Sequence, residues 1–318
     1  MVAALLGLYV LLPRIAGLDD TWGRIRDGEP AWLLVAGLLE VFSYAAYVVL
    51  LRTVAGGADG PLPWRLAWQL TFAGVAASRL LATAGAGGIA LTAWALTRLG
   101  VAAQTVAARM ATLFVLLYGV FFSALVLCGL GLSAGLLAGP SPFGLTVVPA
   151  LFGAAVVSVA LTLALVGHNH GSAESRPPAS SRRARLRAIA AAAPVTIGTG
   201  MRDALVLIRA RDPALLGALF WWGCDVLVLW AAMHAFGTPP AAGVLVMSYF
   251  VGQLANVLPI PGGIGGVEGG MIAALVAFGE PAGLALTAVL TYRALAFWLP
   301  IAPGAVAYVQ LTRALGRR

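Results

Sequence analysis

The chain has 318 residues, of which 61% are hydrophobic and only 10% charged. A water-soluble domain carries about 25% charged residues, so this chain has too little polar surface to face water, and lipid must be the solvent for most of it; the same apolarity excludes a disordered polymer. The net charge of +8 comes from 20 arginines with no lysine, and in so apolar a chain it points to cytoplasmic loops and anionic headgroups, not to nucleic acid.

A membrane helix needs about 20 apolar residues. Residues 2–18 form a short first candidate; with no basic segment before it and no small-residue cleavage site, it reads as a membrane helix, not a removed signal. Residues 31–51 and 62–82 follow, then a Gly-rich break and a shorter run over 89–99. Residues 105–130 and 143–166 are spans, and a polar stretch runs from 168 to 187. Residues 215–236 and 241–258 are further spans. A second Gly/Pro break at 259–266 precedes a short run over 271–278, and 282–309 closes the series. The prediction is an all-α polytopic membrane protein of about eight membrane helices or helix pairs. It is one membrane domain: a first half 1–167, a basic segment 168–212 and a second half 213–318. Residues 185–212 mix arginine with Leu, Ile and Val and are too polar to span. They predict a helix in the plane of the cytoplasmic headgroups, with a solvated linker as the alternative.

Arginine placement sets the orientation. Arg176, Arg182, Arg183, Arg185, Arg187, Arg202, Arg209 and Arg211 place the central segment in the cytoplasm, and Arg313, Arg317 and Arg318 place the C-terminal tail there. The loops 129–146 and 237–243 carry no charge and face outward. Arg52, Arg65, Arg98 and Arg109 put both ends of the first broken region inside. The acidic first loop can lie outside, so both termini are expected in the cytoplasm of a multi-pass cell-membrane protein.

The two broken regions resemble each other. Residues 81–89 are followed by a helix, the turn Leu99-Gly100-Val101 and a long span. Residues 258–264 are followed by a helix, the turn Phe278-Gly279-Glu280 and a long span. Each preceding helix starts after a pair of prolines, Pro61 and Pro63 or Pro239 and Pro240. Three spans lie between the copies, and an odd number inverts the second. Inverted repeats with broken or re-entrant helices in matching positions point to a transport pathway, because broken backbone at membrane depth needs protein or a water-filled cavity to satisfy it. Ordinary packing of Gly and Pro in membrane helices is the alternative.

Soluble-enzyme motifs are absent. Without lysine there is no phosphate-loop lysine and no Schiff base, and no HExxH, GxSxG or Cys/His cluster occurs, so no enzyme activity, cofactor or metal is expected. His168 and His170 make a poor metal site alone, and His234 reads as an interfacial polar tip. Cys128 and Cys224 stand singly in apolar runs. The leads are ionisable groups in apolar runs, each costly in hydrocarbon: Glu40, Arg79, Asp225, Glu268 and Arg293, with Gln69, Gln253, Asn256 and Tyr292 as polar companions. The densest constellation is Asn256, Pro259, Pro261, Gly262, Gly263, Gly265, Gly266 and Glu268. Glu268 opens the helix after the break, where a helix N-terminus favours a carboxylate. It could equally be a cap, or half of a buried pair with Arg293. Arg293 could hold a phosphate through its planar fork.

The stretch Asn256-Val-Leu-Pro-Ile-Pro-Gly-Gly-Ile-Gly-Gly-Val-Glu268, followed by Tyr292-Arg293 and Phe297-Trp298-Leu-Pro300, resembles the signature of the lysylphosphatidylglycerol synthase/flippase transmembrane family. That family takes in the membrane part of multiple peptide resistance factor proteins and stand-alone homologues. The layout matches over nearly the whole chain, the motif only in the last third, since Ala84 and Ala86 stand where the first break would carry proline. The resemblance implies a protein that moves a phospholipid or lipid-linked headgroup between leaflets. A soluble aminoacyltransferase domain is not expected after Arg318, so aminoacylation by this chain alone is not expected either. On this reading Arg79, Asn256, Pro261, Gly262, Gly263, Gly265, Glu268, Tyr292 and Arg293 bind the lipid, with Glu40, Asp225 and Gln253 behind them. The partners are membrane phospholipids with anionic or zwitterionic headgroups, and a separate lipid-modifying enzyme. The competing readings are a membrane scaffold for a lipid- or glycan-modifying enzyme, docked through residues 168–212, and a small-solute transporter.

Overall fold

A computed structural model describes residues 28–80, 86–166, 182–257 and 263–316. The expected first helix at 2–18 and the His168/His170 pair lie outside these residues. Among the described residues all regular structure is helical. The helices are α1 (Pro30–Gly56), α2 (Trp64–Leu80), α3 (Ala86–Arg98), α4 (Ala103–Ser133), α5 (Phe143–Val166), α6 (Arg182–Ala210), α7 (Leu216–Phe236), α8 (Ala242–Gln253), α9 (Gly266–Ala277), α10 (Ala282–Arg293) and α11 (Ile301–Gly316). A π-helical segment, Ala294–Trp298, joins the last two. Among the described residues, five stretches are long and apolar enough to cross a membrane: Pro30–Gly56, Ala103–Ser133, Phe143–Leu165, Pro213–Phe236 and Ala282–Leu315.

These helices are apolar on more than one face, and their outer sides show it. Leu34, Leu38 and Phe42 of α1, Leu127 of α4, Leu151 and Phe152 of α5 and Phe220 of α7 are all exposed. A water-soluble protein does not leave apolar surface of this extent uncovered; a bilayer covers it. Pro30 starts α1 at the one position where a missing N–H costs nothing.

Of the 62–82 span, residues 64–80 are α2, and residues 81–82 lie outside the described residues. Two expected spans are built differently. The 241–258 span is only the 12-residue α8 plus one 3₁₀ turn, Leu254–Val257, because positive φ angles at Gly263 and Gly265 turn the chain back before α9. The 282–309 run is interrupted at its centre, where Pro300 has no N–H to offer the carbonyl of Ala296. Residues 185–212 are not a solvated linker: nearly all of them lie in the helix α6, which packs against α4 and α5. There Gly198 lies against the Leu163 carbonyl and Gly200 against Ala111 and Thr112.

The central pair is α1 and α7, which run antiparallel. The Glu29 N–H donates to the Ala235 carbonyl at 3.0 Å, Trp32 packs on Trp230 and His234, and the Ser43 hydroxyl donates to the Trp221 carbonyl at 3.0 Å. The helices before the two breaks lean across this pair reciprocally: α2 packs on α11 and α8 on α4. Inside each broken region the two arms cross at glycine, Gly74 against Gly88 and Gly252 against Gly270. The turns that follow share one geometry. Gly100 (φ 91°) lets the Val101 N–H reach the Leu96 carbonyl at 3.1 Å, and Gly279 (φ 104°) lets the Glu280 N–H reach the Leu275 carbonyl at 3.0 Å. Both are left-handed glycine helix ends.

Two apolar cores result. One gathers Ala36, the second half of α4, and α7 to α10. The other gathers the second half of α1, with α2, α3, the first half of α4, and α11. The crossing of α1 and α7 is tight enough to test. A methyl on Gly217 would lie 2.5 Å from the Ala46 carbonyl oxygen, whereas Gly223 has nothing within 4 Å. Gly217→Val should therefore cost about 1–3 kcal/mol, read as a lower melting temperature in detergent. Gly223→Ala should leave stability unchanged or raise it. Equal melting temperatures for the Gly217 variant and the parent would mean that the pair is looser than described.

Candidate functional site

Between the two cores lies a cluster of charged and hydroxyl groups. Glu40, half-way along α1, is 4% exposed, and Asp225 on α7 is 8% exposed. The antiparallel crossing sets their two carboxyls facing each other, close enough to interact directly. Asp225 Oδ2 also accepts from two tyrosines: Tyr292 of α10 at 2.8 Å, and Tyr249 of α8. Both tyrosines are fully enclosed, and burial obliges their hydroxyls to find partners. The Gln253 side-chain amide donates to both hydroxyls, at 2.9 Å to Tyr249 and 3.3 Å to Tyr292. Asn256 donates in turn to Gln253 Oε1 at 2.5 Å. One continuous network therefore runs from the edge of the second Gly/Pro break to the acid pair at the α1–α7 crossing.

Arg79, in the last turn of α2, reaches the same region from the other broken helix. Its Nη1 donates to the Phe297 carbonyl at 2.5 Å, and its Nη2 donates to the Ala296 carbonyl at 2.6 Å and to the Tyr44 hydroxyl at 2.7 Å. Pro300 leaves the Ala296 carbonyl without its intrahelical donor, and both carbonyls lie in the π-helical turn Ala294–Trp298. The fork of a guanidinium suits two neighbouring carbonyls where a lysine would not.

The second ionic group is the buried pair Glu268–Arg293. Arg293 Nε donates to Glu268 Oε1 at 2.8 Å, with both side chains more than nine-tenths covered. Glu268 Oε2 accepts from the Gly265 N–H at 2.8 Å, so the same carboxylate caps α9. The ring of Phe297 ties the two arginines together, with the guanidinium carbon of Arg293 4.2 Å from its centroid and that of Arg79 5.0 Å.

Of the residues singled out from the sequence, Glu40, Arg79, Asp225, Gln253, Asn256, Glu268, Tyr292 and Arg293 belong to this connected region. Gly263 and Gly265 shape the turn before α9. Pro261 and Gly262 lie outside the described residues. Gln69 is apart, bonded to Gln310 at 3.2 Å. His234 stacks on Trp32 at 4.4 Å, at an end of the α1–α7 pair. Arg109 bonds the Ala55 carbonyl and Asp59, both at 2.8 Å, which closes the turn from α1 towards α2. Sequence reasoning missed Tyr44, Tyr249 and the carbonyls of Ala296 and Phe297. The tyrosines were legible as hydroxyls in apolar runs. The carbonyls were signalled by Pro300, four residues after Ala296. Among the described residues no group of three or more metal-ligating side chains occurs.

A lipid-facing helical bundle with ionic groups enclosed at its centre defines the class: a polytopic α-helical membrane protein. The chain matches the family described as the lysylphosphatidylglycerol synthase TM region over residues 1–304, nearly its whole length, and it belongs to that family. A UPF0104 membrane protein of Methanothermobacter thermautotrophicus is 31% identical over 90 residues, which is 28% of this chain and 27% of that protein. The chain thus matches about a quarter of that relative's length.

Proposed function

We propose that this protein moves a phospholipid or lipid-linked headgroup between leaflets, with its termini in the cytoplasm and its two halves related as inverted repeats. The observation that carries the reading is the enclosed ionic region formed where the two broken helix pairs meet. Ionisable groups at membrane depth are costly, and they mark substrate or ion paths more often than scaffolding. The antiparallel α1–α7 pair, the reciprocal packing of α2 and α8 and the matching glycine turns support the inverted arrangement, which is how many transporters place a site at the midplane.

The chemistry favours a headgroup carrying phosphate. Arg79 spends its donors on neutral acceptors, and a phosphate would give it charge-assisted bonds instead. Arg293 and Glu268 satisfy each other at rest. A zwitterionic headgroup could replace both partners at once, phosphate for Glu268 and ammonium for Arg293, leaving no charge unpaired. A separate enzyme that makes or modifies the lipid is the natural partner.

The test is a leaflet-resolved assay in proteoliposomes with fluorescent lipids of anionic, zwitterionic and uncharged headgroup. Phosphate-bearing lipids should cross faster than in protein-free vesicles, and uncharged glycerolipids should not. Rates equal to the protein-free background for every headgroup would remove the proposal.

A further inference from the structure

Among the described residues, three carboxyls and two guanidiniums share the enclosed region: Glu40, Asp225 and Glu268 against Arg79 and Arg293. Fully ionised, that set carries one negative charge in excess at a buried position, where desolvation is costly. Glu268 is matched by Arg293 at 2.8 Å and by the Gly265 N–H. The imbalance therefore falls on Glu40 and Asp225.

The hydrogen bonds say where it is resolved. Ionised carboxylates only accept, so the facing, buried Glu40 and Asp225 carboxyls can bond to each other only with a proton on one of them. Asp225 already accepts from Tyr249 and Tyr292, so it is the carboxylate. Glu40 has an oxygen, Oε2, that is buried without a hydrogen-bond partner. An unpaired buried oxygen costs about 1–3 kcal/mol, and a protonated Glu40 donating to Asp225 relieves the pair as a whole. The other titratable groups facing the site are Arg79 from α2, Tyr44 from α1, Cys224 from α7, and Tyr249 and Tyr292 from α8 and α10. Tyr249 and Tyr292 donate to Asp225, and Tyr44 accepts from Arg79. None of these hydroxyls supplies a second positive charge.

We infer that Glu40 and Asp225 form an exchangeable proton-binding site at the crossing of α1 and α7, a site that holds one proton in the resting protein. Release breaks the Glu40 O–H bond, leaves its electron pair on the carboxylate oxygen and passes the proton to water. The pair then holds two negative charges, and Arg79 is the cation facing both. Both tyrosines and Gln253 are bonded around Asp225, so the change is felt along the network to Asn256 at the second break. An anion entering beside Arg79 binds more tightly when the proton is present, and by linkage it holds the proton in place. This last step rests on the proposed lipid-moving function; the site itself does not.

Infrared spectroscopy of the purified full chain in H₂O and D₂O tests it directly. At pH 7.5 solvent-facing carboxyls are ionised, so a protonated-carboxyl C=O band, sensitive to D₂O, should remain at about one group per chain. It should vanish in Glu40→Gln, whose amide can still donate to Asp225 and so preserves the fold. Absence of the band in the parent protein overturns the site, as does its persistence unchanged in both Glu40→Gln and Asp225→Asn. Loss of the band on adding sodium chloride at constant pH would assign the site to a metal cation instead, and also overturns the inference. A band found in a protein that moves no lipid would count against the proposed function and leave the proton site standing. Lipid movement without a band would do the reverse.

Discussion

Arg293→Gln should destabilise the protein by about 3–5 kcal/mol, because it leaves the Glu268 carboxylate buried with only the Gly265 N–H beside it. It also removes the nearer of the two cations over the ring of Phe297. Glu268→Gln should cost somewhat less, since a glutamine can still accept from Gly265 and the guanidinium keeps the ring. The double variant Glu268→Gln, Arg293→Gln should recover much of the loss, because no unpaired charge remains. Melting temperatures of the four proteins in one detergent measure this directly. Additive losses would mean that the two groups do not act as a pair. Leaflet exchange by the double variant then separates two roles: a stable protein that no longer moves lipid keeps the pair in the transport path, and a stable one with undiminished exchange leaves it purely structural.

Arg79→Gln should be of similar size. Three acceptors lose their donor at once, the carbonyls of Ala296 and Phe297 and the Tyr44 hydroxyl, and the acid pair loses its nearest compensating cation. About 3–5 kcal/mol is expected by the same argument of a stranded buried charge. Arg79→Lys should restore the charge but not the fork, and should recover only part of the loss. The informative combination is Arg79→Gln with Asp225→Asn, which removes one charge of each sign, since Asp225 is the carboxylate that accepts from both tyrosines. Recovery there, measured by thermal unfolding, would show that Arg79 answers to the carboxyls. No recovery would show that its work is to hold the π-helical turn.

Much of this was readable before any coordinates. Helix after helix announced itself by length and apolarity, because lipid imposes a single rule on every span. The turns at Gly100 and Gly279 were legible as a matched pair, and both proved to be left-handed helix ends. Glu268 was readable as a cap or as a partner of Arg293, and it is both. The meeting of Glu40 with Asp225 was not readable. It depends on the register of two antiparallel helices about 185 residues apart in sequence, and apolar helix faces carry no periodic signal that fixes such a register. The length of α8 is overstated for a related reason. Hydropathy continues across a glycine turn, and only the backbone reveals that the chain has reversed. The interruption at Ala294–Trp298 was hidden in the same way, although Pro300 marked its place.

The reciprocal packing of α2 on α11 and of α8 on α4 has a consequence for synthesis. Translation delivers α2 early and α11 late, more than 200 residues later by position in the chain. Until then one side of α2, together with Arg79 at its end, lacks the surface and the carbonyls that will enclose it. The charge-bearing end of α2 therefore stays half-covered during synthesis, and assembly finishes only when the closing segment arrives. A chain stopped before the closing stretch Ala282–Leu315 would have its earlier spans inserted but its interior open, the kind of substrate that membrane quality-control proteases recognise.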